Sequence, residues 1–180
     1  MIVIESRKKK IETILKQYPD AKIIDVTSKG EGIWMKFSPF YPHYGIPVPF
    51  SEGVKAACVE GIWQGLKVFE NEGIDTSSFK NDSMKNIKRT VRTHGRCVGH
   101  QKGCWDKELL DYITARKLIY IPSYNWVLEN KLADHVDILR ELSQHETVVL
   151  LDYETNSDVD NPAKPLSHAS LIKSHIEKDN

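Results

Sequence analysis

Thirteen residues, "SPFYPHYGIPVPF" from Ser38 to Phe50, constrain this chain more than any other stretch, because they hold four prolines and four aromatics. Proline fixes φ and has no N–H to donate, so helix interiors and central strands are closed to it. The segment must be an ordered aromatic loop or a sheet edge.

Around it, the apolar pattern switches between helical and extended periods. "RKKKIETILKQYPDA" predicts a short amphipathic helix ending before Pro19, and "KIIDVTS" a buried β-branched strand. "GIWMKF" reads as a second strand. A helix is expected from about Glu52 to Asn71, followed by the polar connector "EGIDTSSFKNDS" and a basic, glycine-punctuated segment. A long helix begins near Asp106 and is kinked or split at Pro122. "ADHVDILRELSQH" is a further amphipathic helix, "ETVVLLDY" a buried strand, and "LSHASLIKSHIEK" a closing helix. No repeat or linker interrupts the order. The pattern is α+β, a single helix-rich domain with a small sheet over residues 1–180.

Lys plus Arg and Asp plus Glu number 25 each, so no global field draws in nucleic acid or an anionic membrane. A local cation cluster can still hold a phosphate. Cys58, Cys97 and Cys104 include no CxxC pair, and "MIVIESRKKKIE" has its apolar run before its lysines, the reverse of a leader peptide. With no membrane-length apolar run, the expectation is a cytoplasmic protein.

The helix expected in the middle of the chain has two unlike sides. At about 100° per residue, Glu60, Gln64 and Lys67 fall within roughly 60° of one another. Val54, Cys58, Ile62, Leu66 and Phe69 fall nearly opposite. Gly61 and Gly65 flank the polar line, each at a cost of about 0.5–1 kcal/mol in a helix. Something must approach the backbone there, either another helix or a ligand. An acid, an amide and an amine at these spacings are also what a solvated helix face carries, with a weak Glu–Lys attraction. Trp63 beside the line and the aromatic loop upstream favour a pocket with an apolar wall and few polar groups.

The order "FSPFYP…VPFS…VEGIWQGLKVF" resembles the NADAR superfamily, the N-glycosidases associated with riboflavin biosynthesis and ADP-ribose. Phe37, Ser38 and Phe40 match its "FSNF"-like segment. Glu60, Gln64 and Lys67 match the acid, amide and amine of its "SEHYYQAQKF"-like helix. "ARKLIYIPSYNWVLENKL" is similar to a later helix of that superfamily. Two features depart from it: the acid is followed by Gly61-Ile62, and its "W-G-x-G" loop is replaced by "LLDYETNSDVDN". The chain resembles a divergent phage and bacterial branch of that superfamily.

The resemblance implies hydrolysis of an N-glycosidic bond, with oxocarbenium character at the anomeric carbon. Glu60 is then the carboxylate that orients water and steadies the cation. Gln64 would hold a ribose hydroxyl or base edge, and Lys67 would bind phosphate or keep Glu60 anionic. Phe37, Phe40 and Tyr41, with Trp63, would stack on a base or else plug the core. Arg92, His94 and Arg96, in a basic run with glycines, would cradle phosphate or form an ordinary solvated face. His94, Cys97, His100 and Cys104 have the donor types for zinc, but H-x2-C-x2-H-x3-C is not a familiar site, and no metal or cofactor is expected.

Asp152 closes a strand where functional carboxylates often sit, and Asn156 and His168 follow in a turn-rich loop and at a helix start. Ser167 reads as an N-cap, and no G-x-S-x-G elbow supports a serine hydrolase. Three readings follow. The first is an N-glycosidase acting on an ADP-ribosylated guanine base or nucleotide, or on a ribosylaminopyrimidine phosphate. The second is a non-catalytic nucleotide or ADP-ribose binding protein. The third is a partner-binding protein whose polar stripe is only surface. The expected partner is a small nucleotide-like molecule, with ADP-ribosylated nucleic acid admitted through a local basic face.

Overall fold

The computed structural model describes residues 1–178. Along the chain run β1 (Ile2–Ser6), α1 (Ile11–Gln17), β2 (Lys22–Asp25) and a 3-10 turn (Gly32–Phe37), then β3 (Ile46–Pro47) and β4 (Lys55–Ala56). Next come α2 (Val59–Gly65), β5 (Lys67–Phe69), a 3-10 turn (Thr76–Lys80), α3 (Val91–His94), β6 (Cys97–Gln101) and β7 (Leu109–Leu110). A nearly continuous helix follows as α4 (Tyr112–Ala115), a π-helical stretch (Arg116–Tyr120) and α5 (Ile121–Asn130). The last elements are α6 (Ala133–His145), β8 (Val148–Asp152) and α7 (His168–Lys178). This is an α+β fold. Two compact units divide it, Met1–Ser38 with Leu128–Asn180, and Pro39–Val127.

The first unit is built on a parallel sheet in the order β1-β8-β2. β8 is its centre and is buried along its whole length, as its continuous run of Val and Leu requires. Ile2 pairs with Val148 on one side, and Lys22 pairs with the same residue on the other. Ile14 of α1 packs on Val149 and Leu151. Val148 and Leu150 alternate with these and are fully buried, so α6 and α7, which contact β8, cover the other face.

The second unit holds the antiparallel pair β3-β4 and the antiparallel sheet β5-β6-β7. The proline-rich loop contributes only β3, two residues at an edge, as proline chemistry demands.

Several expectations change. "GIWMKF" is a 3-10 turn rather than a strand, entered through Gly32 at φ +57°, with Phe37 fully buried. The helix expected from Glu52 to Asn71 shrinks to Val59–Gly65, because Lys55–Ala56 pairs with β3 and Lys67–Phe69 pairs with β6. The long helix starts later, at Tyr112, where Asp111 accepts from the Ile113 and Thr114 amides as its N-cap. Pro122 is absorbed by the π stretch just before it, and Ser123 Oγ donates to the Ile119 carbonyl (2.7 Å), a local partner in the turn where proline lacks an N–H. β1 and β6 are two strands that the sequence reading does not place.

Candidate functional site

Cys58 starts α2: its Sγ accepts from the Gly61 amide at 3.2 Å. Burial pushes the thiol up to about 11, which makes it a cap rather than a nucleophile. One turn on, the backbone is approached as the two glycines require, and the approaching group is protein. A Cβ on Gly61 would lie 2.6 Å from the Ser78 carbonyl, and one on Gly65 would lie 2.4 Å from Phe79. The Thr76–Lys80 turn therefore packs directly on α2.

Against that packing, α2 buries Glu60 at 7% exposure and Gln64 at 3%. Gln64 Nε2 donates to Glu60 Oε1 at 2.7 Å, and Gln64 Oε1 accepts from the Arg89 amide at 3.0 Å. The amide thus clamps the acid to the 89 segment with both ends engaged. Among the described residues, that bond is the carboxylate's only hydrogen bond. A carboxylate so deeply placed usually collects several donors.

Lys67 does not lie on the helix; it opens β5. It is half-buried, and its charge and that of Glu60 act on each other without forming an ion pair at salt-bridge distance among the described residues. Burial lowers the Lys67 pKa, Glu60 and Cys97 oppose that, and Lys88 and Arg89 add to it. Lys67 pairs with His100 and Phe69 with Cys97 across a β-bulge, so these four side chains share one face of the sheet. Trp63 stacks on His100 at 3.8 Å between centroids, with Tyr112 and Tyr120 edge-on to the indole at 5.8 and 5.6 Å. Among the described residues, neither His100 nitrogen reaches hydrogen-bonding geometry with any group. Burial, and then the Lys67 charge, hold its pKa down to about 3, while the nearby Trp63 backbone acts weakly the other way.

Arg89 locks this region together. Its guanidinium donates to the carbonyls of Lys67 (2.8 Å), Gly73 (2.9 Å) and Gln64 (3.3 Å), pairs with Glu72 (3.0 Å) and sits 4.9 Å from the Phe69 ring centroid.

The first unit carries the other acid. Asp152, 3% exposed, ends β8 and accepts from Ser167 Oγ (2.7 Å), the Tyr153 amide (2.7 Å), the Ala169 amide (3.2 Å) and His168 Nδ1 (3.0 Å). Burial alone would raise its pKa, but His168 and these donors hold it below the usual carboxylate range. His168 Nε2 lies 2.9 Å from the Val26 carbonyl, so both ring nitrogens face acceptors. Burial would strip its proton; the Asp152 charge and the two hydrogen bonds outweigh that and raise its pKa. Ser167 accepts from the Ser170 amide at 3.2 Å as the N-cap of α7, and its hydroxyl is turned to Asp152 rather than to the imidazole. Asp152 and His168 together tie the start of α7 to β8 and to Val26.

The remaining residues named from the sequence scatter. Phe37 is buried against Trp34 (6.2 Å) and His135 (6.4 Å), and Ser38 is buried beside it in the chain, so neither offers a ligand wall. Phe40 is half-buried with Lys88 5.8 Å from its centroid, and Tyr41 lies 4.9 Å from His43. Arg92 is exposed, His94 Nδ1 meets Glu72 Oε2 at 2.6 Å, and Arg96 pairs with Glu70 at 3.6 Å. Asn156 organises its own loop through the carbonyls of Asp158 and Lys164.

Among the described residues, no group of three or more His, Cys, Asp or Glu is placed to hold a metal, and the cysteines are unpaired. The sequence offers His100 only as a zinc-type donor or a cation of the basic run, and does not single out Tyr120. Ile87 and Arg89 are buried, with Lys88 exposed between them.

Together, fold and site define an α+β protein with a buried Glu–Gln clamp set beside a lysine-bearing sheet face. The chain belongs to DUF6939, a family of unknown function whose sequence pattern matches residues 6–172. No curated protein matches it.

Proposed function

We propose that the protein is an N-glycosidase that hydrolyses a ribosylated, phosphate-bearing substrate, with Glu60 as its catalytic carboxylate. The observation that carries this reading is the single hydrogen bond to a carboxylate 7% exposed, with a lysine nearby and not paired to it. One oxygen is clamped by Gln64, and the other is free to orient a water. That water adds its hydroxyl to the anomeric carbon as the C–N bond breaks, and its remaining proton goes to the departing nitrogen. Negative charge on Glu60 opposes the positive charge that develops on the sugar. Lys67 supplies the cation for a substrate phosphate.

The resemblance to the NADAR superfamily at Glu60, Gln64 and Lys67 supports the same chemistry. ADP-ribosylated guanine nucleotides and ribosylaminopyrimidine phosphates are the substrates it suggests. No described helix is long and apolar enough to cross a membrane, and the free cysteines suit a reducing, cytoplasmic setting.

The non-catalytic ADP-ribose binding reading has one observation in its favour: Asp152, a second acid for chemistry, is saturated by internal donors. Mass spectrometry of base release separates the two. The panel is ADP-ribosylated guanine nucleotides, ADP-ribosylated DNA, NAD and ribosylaminopyrimidine phosphates, with Glu60→Gln in parallel. Release by the native chain alone is the expected result. Equal release by a folded Glu60→Gln removes Glu60 from the mechanism, and binding without release leaves the binding protein.

A further inference from the structure

His100 is 2% exposed, and neither of its ring nitrogens has a partner among the described residues. A buried imidazole left this way loses the hydration of one N–H and one lone pair without return. Such groups are rare in folded proteins and call for a partner that arrives later or for a local reason. The Trp63 backbone lies near the ring without reaching hydrogen-bonding geometry, and the pairing of His100 with Lys67 on β5 and with Leu110 on β7 fixes its place in the sheet.

The geometry points to His100 as a substrate-binding residue of the proposed site, whose imidazole holds a hydroxyl of the ribose bearing the scissile bond. The assignment rests on the N-glycosidase reading above. Three observations converge on it. His100 and Lys67 are direct cross-strand partners on one face, so a ligand phosphate near the amine carries its sugar past the imidazole. Trp63, only half-buried, is the ring stacked on His100, and Tyr112 and Tyr120 flank it. The indole is thus the cover that must shift to admit a sugar, and its face is then available to the ligand. Finally, an imidazole that stays neutral down to about pH 3 offers one donor and one acceptor, which suits a hydroxyl and repels no cation. Phosphate would instead favour a charged imidazolium, which this setting suppresses.

The test is calorimetric titration of the full chain with ADP-ribose and with ADP, which lacks the distal ribose, together with thermal melts. The variants are His100→Phe, which keeps the stack and removes both nitrogens, and His100→Gln, which restores a donor and an acceptor. His100→Phe is expected to weaken ADP-ribose binding about tenfold or more, to leave ADP within about twofold, and to melt higher than the native chain. His100→Gln is expected to recover part of the lost affinity. Unchanged ADP-ribose affinity in His100→Phe, or equal loss of both ligands, overturns the assignment and leaves Glu60 untouched. A His100→Phe chain that cannot fold also overturns it, by showing that the fold itself uses those nitrogens. Absence of ADP-ribose binding and of base release in the native chain overturns the N-glycosidase reading and this assignment together.

Discussion

Asp152 in the first unit and Glu60 in the second are both carboxylates at 7% exposure or less, and their surroundings could hardly differ more. Asp152 is met by a hydroxyl, two backbone amides and an imidazole, and the imidazole's far nitrogen lies against a carbonyl. Among the described residues Glu60 is met by one amide, its charge acts on the amine of Lys67 without pairing to it, and Lys67 in turn lies across from an imidazole whose nitrogens have no hydrogen-bond partner. A fully satisfied polar network rigidifies a core, whereas an under-satisfied one costs stability and persists where a ligand completes it. The comparison separates two buried acids that look equally functional in sequence.

The largest expected effect lies on the satisfied side. Asp152→Ala strands a buried imidazole and uncaps α7, at about 3–5 kcal/mol of destabilisation, read as a drop in denaturant midpoint. A loss below about 1 kcal/mol would break the comparison, because Asp152 would then not be holding the fold.

The two histidines should respond to pH in opposite directions. His168 has a raised pKa in the fold, so its contribution is complete below its unfolded value of 6.5 and is lost as pH rises through the folded one. His100 has a lowered pKa, near 3 against 6.5. The unfolded chain therefore binds a proton that the fold refuses, and stability is lost as pH falls from 6.5 toward 3. Urea melts across this range should show His168→Gln removing the alkaline-side decline and His100→Phe removing part of the acid-side decline. Identical pH profiles for the two variants would sink the contrast. Asp152, with its lowered folded pKa, adds to the acid-side loss below its unfolded value of 3.8 in both.

Gly61→Ala places a Cβ within 2.6 Å of the Ser78 carbonyl and should cost about 1–3 kcal/mol as the Thr76–Lys80 turn is pushed off α2. A rise in melting temperature, the usual gain from Gly→Ala in a helix, would show that the turn yields freely. On the under-satisfied side, Lys67→Ala should weaken ADP-ribose binding about tenfold, or about 1.4 kcal/mol, with little change in melting temperature. Undiminished affinity would confine the site to Glu60 and its immediate neighbours. Smallest of all, Cys58→Ala removes a sulfur cap and should cost about 0.5–1 kcal/mol in a thermal melt.

How much of this the sequence disclosed depends on how local each feature is. α6, β8 and α7 were legible because each carries an unbroken period in its own residues. The Glu60–Gln64 bond was legible for the same reason, as an i,i+4 pair on one short helix. Lys67 joined that pair in the helical reading for a different reason than the real one. Val54, Cys58, Ile62, Leu66 and Phe69 satisfy a helical period, yet residues 67–69 gain a ladder with β6, and distant pairing overrides a local pattern. The role of Arg89 and the isolation of His100 both depend on that ladder, so no window of sequence around either residue displays them. The glycines were legible as a close approach but not as to what approaches, because Thr76–Lys80 read as a polar connector. An acid at the end of a buried strand, such as Asp152, has the same local signature whether it serves a substrate or caps a helix fifteen residues on.

The central claim is that Glu60 is held for chemistry and not for stability. Glu60→Gln keeps the hydrogen bond from Gln64 and removes the charge, so one variant measured two ways tests it. The account predicts base release from an ADP-ribosylated guanine nucleotide slowed about 10²–10⁴-fold, with a melting temperature equal to or above that of the native chain. Native-like release, or a melting temperature lowered as far as that of Asp152→Ala, would contradict it.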